Sequence, residues 1–535
     1  MTSTWHGLEI GKRALFAQQA GLNTVGHNVA NANTPGYSRQ RVQLNATASM
    51  EYPGLGKSAG VGQIGTGVVA GQIERMRETF LDNQFRNESK SKGEWEVRLD
   101  TLDKMQALLN EPSDTGLSKV LDTFFLSWQT LGRNKDMPSR NTVKQATIDL
   151  VGALNNLDIK LKELDQDIAE NVTTKINEFN SMTQQIVDVN KQITALEVLG
   201  DNANDLRDRR DLLVDQLSKI GGVTAKELPN GTFQVSVGGQ LVVNGGAPAV
   251  PLTYDAATNT TSVPVDGGEI GGMVGSRTDY MSVYKKQLDS LVNGLVNGKI
   301  QAKLPSEYTF DSGVVNLPFD IKLPDGTVKT AGTPITGLNP LPAGTEITFN
   351  GLNDLHSFGY TATNPAKHAG PLFETTDGST VFTAGNIRVA QDILDDVQNI
   401  ASSDATYVDA ASGDTYVKQG NGDLAFMIGE TITAAIDFRD GLPADGAILA
   451  KGSVSDYMRA VVGQLGLQTQ TADRYNQNQD SLLLQINNRR QSVSGVSIDE
   501  EMANMIKYQQ SYGAAARVIS TIDTMLDTII NRMGH

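Results

Sequence analysis

The sequence predicts a mainly α-helical, discontinuous multi-domain rod with β structure inserted near its middle. Three observations point there. Both ends carry apolar stripes at heptad spacing, which keep one helical face turned toward a partner helix. A sustained 3–4 apolar alternation runs through residues 140–199 with no proline between Pro138 and Pro229. After Gly221 the period changes to two, and short strands punctuated by Gly and Pro follow.

In order along the chain, the first helix is expected over residues 4–32, ending where Asn31, Asn33, Pro35 and Gly36 collect. Pro35 has no N–H for a helical ladder and drives Thr34 out of the α region. Residues 37–75 read as extended. Residues 75–110, with Phe80, Phe85, Trp95, Leu102 and Met105 at mixed spacing, return to helix, and Pro112-Ser113-Asp114 opens another that carries Leu121, Phe124, Phe125 and Trp128. The stripe from Leu150 to Leu196 implies a single helix over 140–199, about 90 Å long at ~1.5 Å per residue. A second helix over 206–220 follows a Gly-Asp-Asn break. Phe233, Val235 and Val237, then Gly238-Gly239, then Leu241 and Val243 spell a β-hairpin. Weaker strands are expected over 249–275, helix over 277–297, a small β domain over 303–369, a short helix over 386–400 and a loop or hairpin over 401–425. Residues 453–535 read as helical, with Gly495 as the joint between two helices.

These spans suggest four parts. They are a terminal coiled-coil domain (1–45 with 495–535), a helical bundle (46–221 with 276–302 and 370–494), a hairpin-rich segment (222–275) and the inserted β domain (303–369). A chain of 535 residues is too long for one core, which agrees with this division.

Composition excludes several functions. The net charge of −16 and the lack of a basic stripe argue against nucleic acid and anionic lipid as partners. With no cysteine there are no disulfides and no thiolate metal sites. No apolar run is long enough to span a membrane, and the opening residues 1–13 lack the apolar core and cleavage site of a secretory signal peptide. Gly56-Lys57-Ser58 lacks the earlier glycine of a phosphate loop, where Glu51 stands instead. The five histidines, His6, His27, His356, His368 and His535, show no ligand spacing. Asp201, Asn202, Asn204 and Asp205 resemble a calcium loop without its glycine and closing glutamate, and read better as a solvated turn. Glu500 and Glu501 suit the positive end of the last helix. No catalytic residue, cofactor site or metal site is expected.

The terminal stripes are the candidate functional residues. At the start they are Leu8, Leu15, Leu22 and Val29. At the end they are Ile498, Met505, Tyr512, Ile519, Leu526 and Met533, with Tyr508, Ile522 and Ile529 in the second seam position. One pair of such helices is marginal in water. The ends are therefore expected to be loose in the free monomer and helical once neighbouring subunits cover the seams. The alternative is an ordinary coiled-coil pair within one stable fold.

Two segments carry a resemblance. Residues 28–40, with Ala30, Asn31, Asn33, Thr34, Pro35, Gly36 and Tyr37 at their centre, are similar to the signature of the axial proteins of the bacterial flagellum: rod, hook and hook-associated proteins. The ending Ser38-Arg39-Gln40 is most similar to the hook-associated members. Residues 492–504, 508–512 and 514–526 resemble the C-terminal block of the same proteins, and weaker matches lie at 67–85, 204–217, 382–389 and 453–466. The resemblance implies a structural, non-enzymatic protein of the extracellular flagellum at the hook–filament junction. It implies terminal helices lining an inner tube, β domains facing outward, and type III export without a cleaved signal. Its partners would be further copies of itself, the hook protein, a second hook-associated junction protein and a cytoplasmic export chaperone on the C-terminal helix. The opening, residues 6–13, departs from the Gly/Ser-rich start of the family. The alternatives are a hook or distal-rod protein, or an axial scaffold whose insert is an adhesin or a cell-wall hydrolase. The hydrolase reading would draw on Asp311, Asp320, Asp325, Glu346, Asp354 and two histidines, which show no recognisable spacing.

Overall fold

A computed structural model describes residues 5–48, 65–111, 113, 116–310, 314–410, 413–418, 420–439 and 446–532. The helices are α1 His6–Ala30, α2 Thr79–Leu109, α3 Leu117–Asn134, α4 Met137–Glu197, α5 Asn204–Ile220, α6 Gly268–Ser276, α7 Ser282–Asn297, α8 Gly351–Phe358, α9 Gln391–Asp395, α10 Asp423–Glu430, α11 Val454–Ser494 and α12 Ile498–Asp527. The strands are β1 Gln40–Ala46, β2 Val68–Arg75, β3 Val223–Glu227, β4 Phe233–Val237, β5 Gln240–Asn244, β6 Tyr254–Asp255, β7 Thr260–Thr261, β8 Lys299–Lys303, β9 Asp320–Lys322, β10 Val328–Lys329, β11 Glu346–Asn350, β12 Phe373–Thr375, β13 Ile387–Val389, β14 Thr406–Val408, β15 Thr415–Val417, β16 Ile436–Asp437 and β17 Lys451–Gly452. The fold is mainly α with inserted β. The chain forms two compact units, one of residues 1–96, 172–272 and 475–535, the other of residues 97–171 and 273–474. Helices α2, α4, α6 and α11 contribute residues to both.

In the first unit α1 packs along α12, and a β1–β2 antiparallel ribbon with a bulge at Gln43/Leu44 follows α1. The apolar stripe of α4 is buried here at Val172, Ile176, Phe179, Ile186 and Ile193. The hairpin read from residues 233–243 is β4–β5. Its turn residues Gly238 and Gly239 have φ of 52° and 83°, the left-handed pair that a tight hairpin turn demands. One expectation nearby holds only in part. Residues 249–275 contain only the two-residue strands β6 and β7, and from Gly268 they are helical. A segment rich in glycine is a poor helix former by itself. It is held by close approach, since a Cβ on Gly272 would stand 2.8 Å from the Glu94 carbonyl oxygen of α2.

In the second unit the expected helix start at 140 moves to Met137. Pro138 sits in the first turn, where its missing N–H costs nothing, and Asp136 accepts from the Ser139 N–H at 2.9 Å. Phe124, Phe125, Trp128, Leu150, Leu154 and Tyr457 form the core. The insert is a β10-β9-β11-β8 sheet carrying α8, with Tyr308, Phe310, Phe319, Phe349 and Phe358 ring against ring. Strand β8 begins at Lys299, ahead of the expected boundary at 303, and pairs with β11 in this sheet. The short helix expected over 386–400 opens instead as strand β13, paired with β12, before α9. The run is too short for periodicity to separate the two forms.

The insert carboxylates considered for catalysis are engaged structurally. Asp320 accepts from the Ala331 N–H, Asp325 from the Thr327 N–H and Asp354 from the Asn350 N–H, while Glu346 pairs with Lys322. Asp311 lies outside the described residues, as do Gly56, Lys57 and Ser58. No group of three His, Cys, Asp or Glu that could hold a metal ion occurs among the described residues, and no described helix is long and apolar enough to cross a membrane.

His356 is fully buried. Its Nδ1 stands 2.7 Å from the Gly370 carbonyl oxygen, and its Nε2 accepts the Ala401 N–H at 3.0 Å. Burial pushes its pKa down to about 4, and the nearby Arg140 guanidinium adds to that. A depressed folded pKa makes the neutral ring part of the fold. Its contribution is complete above about pH 6.5 and is lost as pH falls toward 4, an effect on the order of 3 kcal/mol. Thermal unfolding of the wild type and of His356→Gln between pH 7 and 4 should therefore converge on acidification, with the wild-type advantage present only at the upper end.

Candidate functional site

The candidate site is the place where the end of α1, the turn after it and the start of α12 meet. Asn28, in the last turn of α1, is buried, and its amide is fully used. Its Oδ1 accepts from the Gln40 N–H at 2.9 Å and the Tyr37 hydroxyl at 2.7 Å. Its Nδ2 donates to the Gln40 carbonyl at 2.9 Å and to Glu501 at 3.0 Å. The turn that allows this is built by the motif. Asn31 Nδ2 donates to the His27 carbonyl, the Thr34 N–H returns to the Asn31 carbonyl, and Gly36, at φ 80°, rests on Leu212 of α5. Ala30, Asn33, Thr34, Pro35 and Gly36 are exposed, and Asn31 and Tyr37 half-buried. Their role here is to reverse the chain so that residues 37–40 reach their partners.

Those partners lie on α5, α12 and the end of α11. The Ser38 N–H donates to Asp208 at 2.9 Å, Gln40 Nε2 to Asp205 at 2.8 Å, and the Arg39 N–H to the Ser494 carbonyl at 2.8 Å. The Arg39 guanidinium spans Glu501 at 2.8 Å and Glu500 at 2.7 Å. Ser497 caps α12. Glu501 was expected only to favour the helix N-terminus. Its carboxylate is 2% exposed and joins both ends of the chain. The segment read as a solvated calcium-like turn also works structurally, since Asn202 and Asn204 donate to the Ile73 carbonyl.

Beneath this lies a cluster of buried ion pairs. Arg75 pairs with Asp208 and Asp211, each at 2.8 Å. Arg77 pairs with Asp82 at 2.6 Å, Arg86 with Asp215 at 2.7 Å, and Arg490 with Asp82 at 3.0 Å and Asp215 at 2.6 Å. Burial alone would raise Asp211, but the guanidiniums of Arg77, Arg75, Arg210 and Arg86 outweigh it and hold its pKa to about 2. Asp208 goes the other way, raised by burial despite the Ser38 N–H and Arg75. Burial likewise pulls Arg77 down, and Asp211, Asp82 and Asp215 more than restore it.

Along the pair, α1 turns its small positions toward α12. A Cβ on Gly7 would stand 2.8 Å from Ile522, one on Gly11 2.6 Å from Ile519, and one on Gly21 2.8 Å from the Tyr508 ring. These contacts run antiparallel and end at Asn28–Glu501. Leu8, Leu15, Leu22 and Val29 fall one residue further round and are half-buried beside the seam. On α12, Met505, Ile519 and Leu526 are half-buried, Tyr512 is 39% and Ile498 54% exposed, and Met533 lies outside the described residues.

Residues 102–298 match the flagellar hook-associated protein FlgK helical domain, 489–533 the flagellar basal body rod FlgEFG protein C-terminal family, and 8–37 the flagella basal body rod protein family. Flagellar hook-associated protein 1 of Bacillus subtilis is 32% identical over 545 residues, covering 100% of this chain and 99% of that protein. The chain belongs to the flagellar hook-associated protein 1 family. The protein of that name from Salmonella typhimurium is 27% identical across 97% of this chain and 98% of its own length. The solved flagellar hook junction protein FlgK from Burkholderia pseudomallei aligns with a TM-score of 0.49 at 15% identity, covering 78% of this chain and 100% of that one. In this hook-associated protein the two rod-type matches fall on the elements that Asn28, Arg39 and Glu501 tie together.

Removing a buried member of a charge pair leaves the rest uncompensated, at roughly 3–5 kcal/mol, whereas an exposed pair contributes about 1 kcal/mol or less. Glu501→Ala should therefore speed amide hydrogen exchange at residues 38–42, where Arg39 and Gln40 are held, and lower the stability of the first unit by about 3 kcal/mol. Glu500→Ala should change both far less.

Proposed function

We propose that the chain is a structural adapter of the hook–filament junction, polymerising as a short segment on the hook and needed for filament assembly. The observation that carries this reading is the outer face of the terminal pair. With α1 and α12 already packed together, Trp5, Phe16, Ile498, Met502, Ile506 and Met525 remain between 46% and 61% exposed. Exposed apolar residues on this scale mark a surface for other chains. A tube requires one patch to meet a different patch on the next copy, so the contacts are heterologous and head-to-tail.

In this reading the partners are further copies of the chain, the hook protein and a second hook-associated junction protein. An export chaperone covers α12 before assembly, shielding the seam from Ile498 to Leu526. The route out is the flagellar type III apparatus, which a chain free of disulfides suits. The role is architectural rather than enzymatic. The four-part division and the looseness of both ends in the free monomer belong to the same proposal, because the terminal pair by itself is marginal.

Deleting residues 499–535 should leave hooks without filaments and shed monomer into the medium. Filaments of wild-type length on that background would overturn the reading. Amide exchange on the monomer tests the loose ends, and strong protection of both α1 and α12 would refute them.

A further inference from the structure

The terminal pair has two unlike faces, and its seam fixes which residue lies on which. Gly7, Gly11 and Gly21 of α1 meet Ile522, Ile519 and Tyr508 of α12. One step along a helix turns by about 100°. In an antiparallel pair, one step forward on either helix swings to the same side. Leu8 and Leu22 stand one step after Gly7 and Gly21, Val29 one step after Asn28, and Met502 one step after Glu501. These share a forward face. One step back, the side chains reach the β1–β2 ribbon. Lys507 lines a cavity of about 280 Å³ with Arg41 and Val42 of β1. A Cβ on Gly67, just ahead of β2, would stand 3.4 Å from the Cα of Ile10.

Exposed apolar surface is placed oppositely on the two faces. On the forward face it lies at the base of α12, where Ile498 and Met502 are 54% and 46% exposed beside half-buried Leu22 and Val29. Further along that face come Gln509, Ala516 and Asp523, all exposed. The back face inverts this order. Its base carries the exposed charges of Glu500 and Lys507, and its far end carries Val518 and Met525, 47% and 59% exposed. Two copies set side by side and level would press Met502 against Glu500 and Lys507, and Asp523 against Met525. Charges pressed onto apolar surface lose water without gaining partners. Sliding one copy by the span from Met502 to Met525, about 35 Å at ~1.5 Å per residue, sets apolar surface on apolar surface instead.

We propose that neighbouring copies associate through these two faces, the Ile498–Met502 base of one α12 receiving the Val518–Met525 end of the next, offset by about 35 Å along the helices. The inference rests on the adapter reading and names the contact through which the chain polymerises. A forward face meeting a back face is heterologous. The offset makes the succession of contacts climb as a helix rather than close as a flat ring.

The full chain contains no cysteine, so introduced thiols report on this contact alone. Met502→Cys and Met525→Cys are combined, hook–filament fractions are isolated and mildly oxidised, and disulfides are read on non-reducing gels. Within one α12 the two positions are too far apart to be bridged. The expected result is a ladder of dimers, trimers and longer species, lost in either single variant. Met502→Cys with Lys507→Cys reports the level arrangement, and a ladder from that pair overturns the proposal. Double variant present in the fractions without a ladder overturns the contact and leaves the adapter reading standing. Wild-type protein missing from the fractions overturns both. A charge exchange gives a second readout: Met502→Glu or Met525→Lys alone should abolish filaments, and the two together should restore them. Filaments that persist in both single variants overturn the proposal.

Discussion

The first unit hangs on the conjunction of one amide and one carboxylate. Asn28 and Glu501 stand at opposite ends of the chain, and each is buried with its polar atoms engaged. The Glu501 carboxylate is buried because Asn28 and Arg39 both engage it, since a buried charge left unpaired is costly. Their contact fixes where α12 begins relative to where α1 ends. The motif turn, Arg39 and the Ser494 carbonyl fit around that fixed point, and the arginine–aspartate cluster beneath secures it to α2, α5 and α11.

The seam above that point is unequal. One helix offers glycine, the other isoleucine and tyrosine. Such a seam lets backbones approach closely and buries large side chains against a surface with little relief. The polar base and the apolar seam therefore divide the work between them. The base specifies position, and the seam supplies burial.

Much of this was legible in the residues. Periodicity located α4 within a few residues, the Gly238-Gly239 turn announced its hairpin, and the two terminal motifs pointed to the family that the full-length relatives then established. The phase of the first seam was harder to read. A search for large apolar residues finds Leu8, Leu15, Leu22 and Val29. The positions facing α12 are small because the partner's side chains need the room. The ion-pair cluster was hidden by distance along the chain, with Arg75 and Asp208 separated by 133 positions. A trace of it exists in α5, where Asp208, Asp211 and Asp215 recur at helical spacing. Charged residues on a helix are usually a solvated face, and only the opposing arginines show that this one is interior. Glu501 was masked by its neighbour Glu500, since both suit a helix start and only tertiary packing separates their roles.

A row of glycines has one more effect. Interlocking side chains oppose lengthwise slip at every turn, whereas a smooth track opposes it only weakly. The terminal pair is thus fastened like a latch, its lengthwise register set by the hydrogen bonds and ion pairs at the Glu501 end. Tension applied along the pair would be borne first at the fastened end, leaving the remote turns able to shift by small amounts while the base keeps its place.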